Sequence, residues 1–478
     1  MPVTIGIDAG TTTITALALD ADGGQVLALA TARNDAEITP AADRARGRSE
    51  WDAGAIFATV LHALAEIAAQ LGGGCDIAGI GFTGQQHGVV IVDDWLSPVT
   101  PLINWQDRRG DDLIPGENCT WVERARALLG PDAPERNGCA LATGFLGATL
   151  FWMNETGCLP PSGAACFITD YLAAALTGKK PVTDPTMGAS SGLLDIRNRR
   201  WDEAGIAALS LPRRLFPEIR EAGDRLGGLS LDVAAATGLP AGLPVFVGLG
   251  DNQASFLGSV ASPVETVLVN VGTGAQVSRY THRYCYSPPL ETRPFPREGY
   301  LLVEPGLCGG RAYAILERFF RDVARDVLDL AATESLYDRM NALAATAQSG
   351  CDGLRCEPLF TGTRADPDRR AAFTGASAEN LTPANMVRSL LEGIARSFAE
   401  GRDMIDAAIG SPSTRLVGTG NGLRENPVLS RIVADEFALP MAIPTHREEA
   451  AYGAALAAAF GADLWPSLAE ASGVIRYE

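Results

Sequence analysis

The chain opens with short apolar runs cut by small polar turns. Residues 3–9, 14–20 and 25–30 read as strands, separated by Gly10-Thr11-Thr12-Thr13 and by Asp22-Gly23-Gly24, so an antiparallel meander begins the protein. Farther on, Ile56, Val60, Leu64, Ile67 and Leu71 recur at helical spacing within 51–71, and residues 77–82 form a short apolar run of strand length. This pattern predicts a mixed sheet covered by helices. Near residue 256 it starts again: 266–271 is strand-like, Gly272-Thr273-Gly274 is a small-residue turn, and 275–279 returns. Ile5 and Val269 lie 264 residues apart, about half the chain, which predicts two like-folded, duplicated domains over 1–255 and 256–478. Helix and strand alternate thereafter, at 310–323, 415–418, 426–436, 441–443 and 448–460, and the fold class is α/β. The proline-rich stretch 285–299 reads as a surface loop without assigned chemistry.

Three polar turns carry candidate chemistry. In Asp8-Ala9-Gly10-Thr11-Thr12-Thr13 the glycine admits close backbone approach, the threonines offer hydroxyl and amide donors, and Asp8 can hold the water shell of a cation. An ordinary polar β-turn has the same composition. Gly272-Thr273-Gly274 repeats the arrangement in the other half, and two such loops facing each other can clasp the phosphates of ATP. A third glycine loop, Gly418-Thr419-Gly420-Asn421, follows a strand and leads through Asn426 into a helix, where a flat base can lie against backbone. Phosphoryl transfer needs a base near the acceptor hydroxyl, and the run 244–250 delivers Asp251 at its end. An aspartate there also suits a helix cap, and the two roles are compatible. Gln85-Gln86-His87-Gly88 and Asn104-Trp105-Gln106-Asp107 place polar side chains beside an aromatic platform, as a polyol site requires.

Composition narrows the class. The 478 residues suffice for two or three domains. With 39 basic and 57 acidic residues the formal charge is −18, which repels nucleic acid and anionic membranes at long range. Lys179 and Lys180 are the only lysines, and Gly178-Lys179-Lys180-Pro181 lacks the spacing of a P-loop. Nine cysteines without a C-x-x-C pair suggest neither a disulfide framework nor a zinc site. With no secretory leader pattern and no apolar stretch of about 20 residues apparent, a cytoplasmic protein is expected, either monomer or homodimer.

The ordered set Ile5-Gly6-Ile7-Asp8-Ala9-Gly10-Thr11-Thr12, Gly84-Gln85-Gln86-His87-Gly88, Trp105-Gln106-Asp107-Arg108, Gly250-Asp251-Asn252, Gly272-Thr273-Gly274 and Glu448-Glu449-Ala450-Ala451-Tyr452-Gly453 resembles the FGGY carbohydrate kinases. The resemblance implies two ribonuclease H-like domains of the actin-like ATPase type with a cleft between them. It further implies that Asp251 is the general base, with Gln86, His87, Trp105 and Asp107 holding the sugar. Gly10, Thr11, Thr12, Thr13, Gly272 and Thr273 would serve the phosphates, with Asp8 and Asp251 at Mg2+. Gly310, Gly418, Gly420, Asn421 and Asn426 would form the rest of the nucleotide site. Cys308-Gly309-Gly310-Arg311-Ala312-Tyr313 and the 418–427 segment look most like the branch acting on sedoheptulose. A ketopentose kinase such as a xylulokinase, and a nucleotide-gated regulatory protein of the actin-like type, are the alternatives.

Overall fold

A computed structural model describes all residues except 331–333, 361 and 363–367. The opening meander forms as expected. Strands β1 (Pro2–Ala9), β2 (Thr13–Asp20) and β3 (Val26–Arg33) are antiparallel neighbours, and β4 (Asp76–Gly84) pairs parallel to β1. The sheet continues through β5 (Arg225–Gly228), β6 (Pro244–Phe246) and β7 (Leu249–Gly250) to seven strands. The run expected as one strand at 244–250 is thus two pieces. Val247 breaks away to pair its backbone with Gly223 and Asp224, which re-aims the chain just before Asp251.

The second sheet has six strands: β8 (Thr266–Val271), β9 (Gly274–Thr281), β10 (Glu291–Pro294), β11 (Tyr300–Cys308), β12 (Arg415–Thr419) and β13 (Met441–Ala442). Strand order reveals the duplication. The first sheet runs β3-β2-β1-β4-β6 and the second β11-β9-β8-β12-β13, each with three antiparallel strands followed by parallel ones. The 285–299 stretch is more than a loop, because β10 pairs along β11 within it.

Helix α1 (Ala53–Leu71) is long and apolar enough to cross a membrane by length and composition, unlike the reading from sequence. Its stripe of Ile56, Val60, Leu64 and Ile67 is fully buried in the core of the first sheet. Its N-terminus is capped by Asp52, whose side chain accepts from the Ala55 N–H, and Gly72 ends it in the left-handed region. In the second half, α3 (Gly310–Leu328), α4 (Pro383–Ile409) and α5 (Pro427–Phe437) contribute to the core of the second sheet.

Two helices join the halves. The short α2 (Asp251–Leu257) and the late α6 (Glu449–Gly461) share a core with Leu17 and Leu19 from the first sheet and Leu268, Leu301 and Val417 from the second. Although α6 lies near the end of the sequence, it packs on the first sheet. A Cβ on Gly6 would come within 1.9 Å of the Ala451 carbonyl, and one on Gly81 within 2.2 Å of that of Ala454. Only glycines let α6 lie so close to β1 and β4.

Candidate active site

Most of the residues expected on the acceptor side share one cavity, of about 430 Å³, lined by Asp8, Gln86, His87, Trp105, Asp251 and Arg293, among others, and called the acceptor cavity after that expectation. Asp8 stands near the end of β1. Burial, with Asp251 and Glu448 as like charges nearby, pushes its carboxyl up to about 7. Its Oδ1 is buried with no protein partner, a donor atom suited to a cation or its water shell. Asp251 opens α2, and its carboxylate accepts the Asn252 N–H at 2.7 Å. The helix terminus and Arg293 favour its charge while burial opposes it, and burial prevails, at about 6. Helix start and candidate base therefore coincide in one residue.

The polyol segment is held firmly. Gln86 Nε2 donates to the Thr186 carbonyl at 3.1 Å and to Gln253 Oε1 at 3.3 Å. His87 has φ +77°; its N–H donates to Ser190 Oγ, its Nδ1 lies 2.9 Å from the Ser190 carbonyl, and its ring stacks on Phe145 at 4.1 Å. Trp105 is 47% exposed, and its indole N–H donates to Thr11 Oγ1 at 2.9 Å, while the Thr11 hydroxyl donates to Gln85. Trp105 and the 10–13 loop are therefore joined through one hydroxyl.

Asp107 departs from the expectation that it faces the sugar. It is fully buried, and its carboxylate accepts from the Ser49 N–H, the Arg109 N–H and the Arg109 guanidinium, which also reaches Glu50. With these partners it braces the 104–109 turn from behind, and no oxygen is turned to the cavity. Sequence could not separate the two roles, since both call for a carboxylate beside Trp105.

Of the loops expected to hold nucleotide, 10–13 adjoins this cavity through the Trp105–Thr11 bond and 272–274 follows Asn270 of its lining. Asn34 fastens the 10–13 loop by donating from Nδ2 to the Gly10 carbonyl and from its N–H to that of Thr12, and Thr12 and Thr13 are exposed. In the second hairpin the Gly272 and Thr273 carbonyls accept from the Gly310 and Arg311 N–H groups at 2.9 Å, so the start of α3 is bound to the loop. A second cavity of about 400 Å³ is lined by Gly310, Tyr313, Tyr337, Asn341, Asn421 and Asn426, among others. Tyr313 and Tyr337 stack with centroids 5.7 Å apart. Gly418 lies behind that wall, where a Cβ would meet the Met441 sulfur at 2.5 Å, and Gly420 turns the chain at φ +83° against the Val271 carbonyl. These two glycines shape the cavity without lining it. Asn270 lines the first cavity and its neighbour Val271 the second, so both cavities border the end of β8.

The residues now in place also match known proteins. The model of the N-terminal domain of the FGGY family of carbohydrate kinases matches residues 3–258, and that of the C-terminal domain matches 267–462. The chain belongs to the FGGY family of carbohydrate kinases. It is 30% identical to human sedoheptulokinase, covering 95% of this chain and 97% of the relative, and 27% identical to xylulose kinase of Lactococcus lactis, covering 98% and 89%. The crystal structure of xylulose kinase from Rhodospirillum rubrum superposes with a TM-score of 0.87 at 26% identity, over 100% of this chain and 93% of that one. The two-domain architecture is that of the FGGY kinases, of the actin-like, ribonuclease H-like kind.

Several lining residues escape the sequence reading. Asn252, Ser255, Asn270, Gln276, Arg293, Glu448 and Glu449 all face the acceptor cavity. Asn252 and Ser255 follow Asp251 on α2, and Asn270 stands two residues before Gly272 as Asp8 stands two before Gly10. Aligned on the ends of β1 and β8, at Ala9 and Val271, the duplication was therefore a usable signal for Asn270, which the 264-residue register set by Ile5 and Val269 misses. Glu449 is paired with Arg424 at 2.7 Å, tying the 418–427 loop to α6.

Proposed function

We propose that this FGGY kinase transfers the γ-phosphoryl group of ATP to the terminal hydroxyl of a ketose, sedoheptulose giving sedoheptulose 7-phosphate. The observation that carries the reading is that both cavities border the end of β8, through Asn270 and Val271, with Asp251 lining the first. In this scheme the Asp251 carboxylate takes the hydroxyl proton as the sugar oxygen bonds to the γ-phosphorus and ADP departs. Gln86, His87 and Trp105 orient the ketose. Gly10, Thr11, Thr12, Thr13, Gly272 and Thr273 surround the phosphates, while Gly310, Asn421 and Asn426 line the remainder of the nucleotide site, shaped by Gly418 and Gly420. Asp8, through its unpartnered oxygen, and Asp251 would hold Mg2+, which when bound neutralises charge on the phosphates. The domain division at 255/256 and a cytoplasmic location belong to the same proposal.

The sedoheptulokinase relative supports the seven-carbon substrate, and the xylulose kinase relative supports xylulose as the second reading. The test is turnover of both ketoses in an ATP-consumption assay, with Asp251→Ala beside the native enzyme. Loss of turnover by the variant is expected, and near-normal phosphorylation would remove Asp251 as the base. Turnover of xylulose alone would replace the substrate and leave the kinase chemistry intact.

A further inference from the structure

Arg293 belongs to the second half of the chain and lines a cavity to which both halves contribute, on the side of Gln86 and His87 from the first half. Strand β10 brings it there. On one side β10 pairs with β11 across Glu291↔Val303 to Pro294↔Tyr300. Elsewhere it is fastened to the first domain: the Thr292 N–H donates to the Gly138 carbonyl at 2.9 Å, and Gln253 Nε2 donates to the Pro294 carbonyl at 3.0 Å. A Cβ at Gly138 would come within 1.9 Å of the Thr292 carbonyl, so glycine is needed for that approach.

The guanidinium is held in place before any ligand arrives. Its Nε and Nη2 donate to Glu291 Oε2 at 3.0 and 2.5 Å, and the two side chains are only 14% and 10% exposed. Two of its five N–H groups are thereby used, which leaves the rest of the fork for the occupant of the cavity. Among the described residues lining that cavity Arg293 is the one permanent cation, against Asp8, Asp251, Glu448 and Glu449. A polyol enclosed there brings oxygens that need donors as well as hydroxyl protons that need acceptors, and an unpaired buried oxygen is costly. The carboxylates serve only the second need. Beyond Arg293, Gln86 and His87 lies a recess of about 10 Å³, walled also by Asn137, Cys139 and Glu291, which has room for about one water.

We propose that Arg293 contacts the sugar and sets its inner limit, donating to hydroxyl or carbonyl oxygens of the ketose and closing off the recess behind. This inference rests on the sugar-kinase reading and names a residue that decides which acceptor fits.

The experiment compares native enzyme, Arg293→Ala and Arg293→Lys in steady-state turnover of xylulose and sedoheptulose, with urea unfolding of each protein as a check on folding. Loss of a charged donor to the sugar predicts a ketose KM about 10- to 100-fold higher in Arg293→Ala. The KM for ATP should stay within about twofold, and lysine should restore part of the loss because it keeps a charged donor. Opening the recess should also raise kcat/KM for the seven-carbon ketose relative to the five-carbon one. An unchanged ketose KM in Arg293→Ala would overturn the proposal, as would an equal rise for ATP and sugar. If native enzyme turns over neither ketose, the ketose reading fails, and the same comparison is made on whichever sugar of a polyol panel it does phosphorylate. Absence of turnover on the whole panel would overturn both.

Discussion

Gly453→Ala tests the seam on which the candidate base depends. In the native fold α2 and α6 cross so closely that a Cβ on Gly453 would sit 1.9 Å from the Ala254 carbonyl, 2.8 Å from its carbon and 3.0 Å from the Gly258 nitrogen. Ordinary contact begins at 3.4 Å, so the helices must part by 3.4 − 1.9 = 1.5 Å at that point. The obstacle is backbone on both sides, and rotamer changes cannot relieve it. Overpacking of this kind costs about 1–3 kcal/mol, and the rigid contact argues for roughly 3. Ala254 is three residues from Asp251 on the same short helix, so much of the displacement reaches the carboxylate. A misplacement of about 1 Å can lower a rate ~100-fold, which is the fall in kcat expected for Gly453→Ala. Gly473→Ala is the control, since no atom lies within 4 Å of its added Cβ. Urea unfolding and sugar-dependent ATP consumption are to be measured for all three proteins. A Gly453→Ala protein with native midpoint and kcat within twofold of native would show that the α2–α6 crossing does not position Asp251.

Asp107→Ala should act first on stability. It leaves the buried Arg109 guanidinium with Glu50 as its one carboxylate partner and the Ser49 N–H unpaired, a loss of about 2 kcal/mol in urea unfolding, whereas a native midpoint with a raised sugar KM would restore Asp107 to the sugar site. Acid should inhibit through the base. Burial raises Asp251 to about 6, so its proton-accepting form is lost as pH falls through that value, and kcat/KM for the sugar should drop about tenfold per pH unit below it. A flat profile down to pH 4.5 would contradict this. Trp105→Phe keeps the ring but removes the indole donor to Thr11, so sugar KM should rise about fivefold. Stability should change by less than about 0.5 kcal/mol, because the ring is half exposed.

Periodicity along the chain was enough to find the opening meander, the second hairpin and helices α1, α3, α5 and α6, because each rests on local alternation or helical spacing, whereas α4 and the helices between residues 121 and 177 went unread. Val3, Ile5 and Ile7 on β1, or Ile56, Val60, Leu64 and Ile67 on α1, bury one side of an element whatever the rest of the molecule does. The glycine and threonine turns were legible for the same reason, since a hairpin loop is specified by adjacent residues. Arg293 was hidden among prolines at 288, 289, 294 and 296, which read as loop, and its place in the site depends on β10 docking against Gly138 and Gln253, far away in sequence.

Local residue order suffices for the strand hairpins, their repetition about 264 residues apart, and the motif order that marks an FGGY kinase. Long-range packing was needed for α6, from the end of the chain, to cover the first sheet, for Asp107 to turn to Arg109 instead of the cavity, and for Arg293 to reach the cavity that holds Asp251. Those three outcomes depend on which distant surfaces exclude water together and which buried charges find partners there. Neighbouring residues in the chain do not encode either.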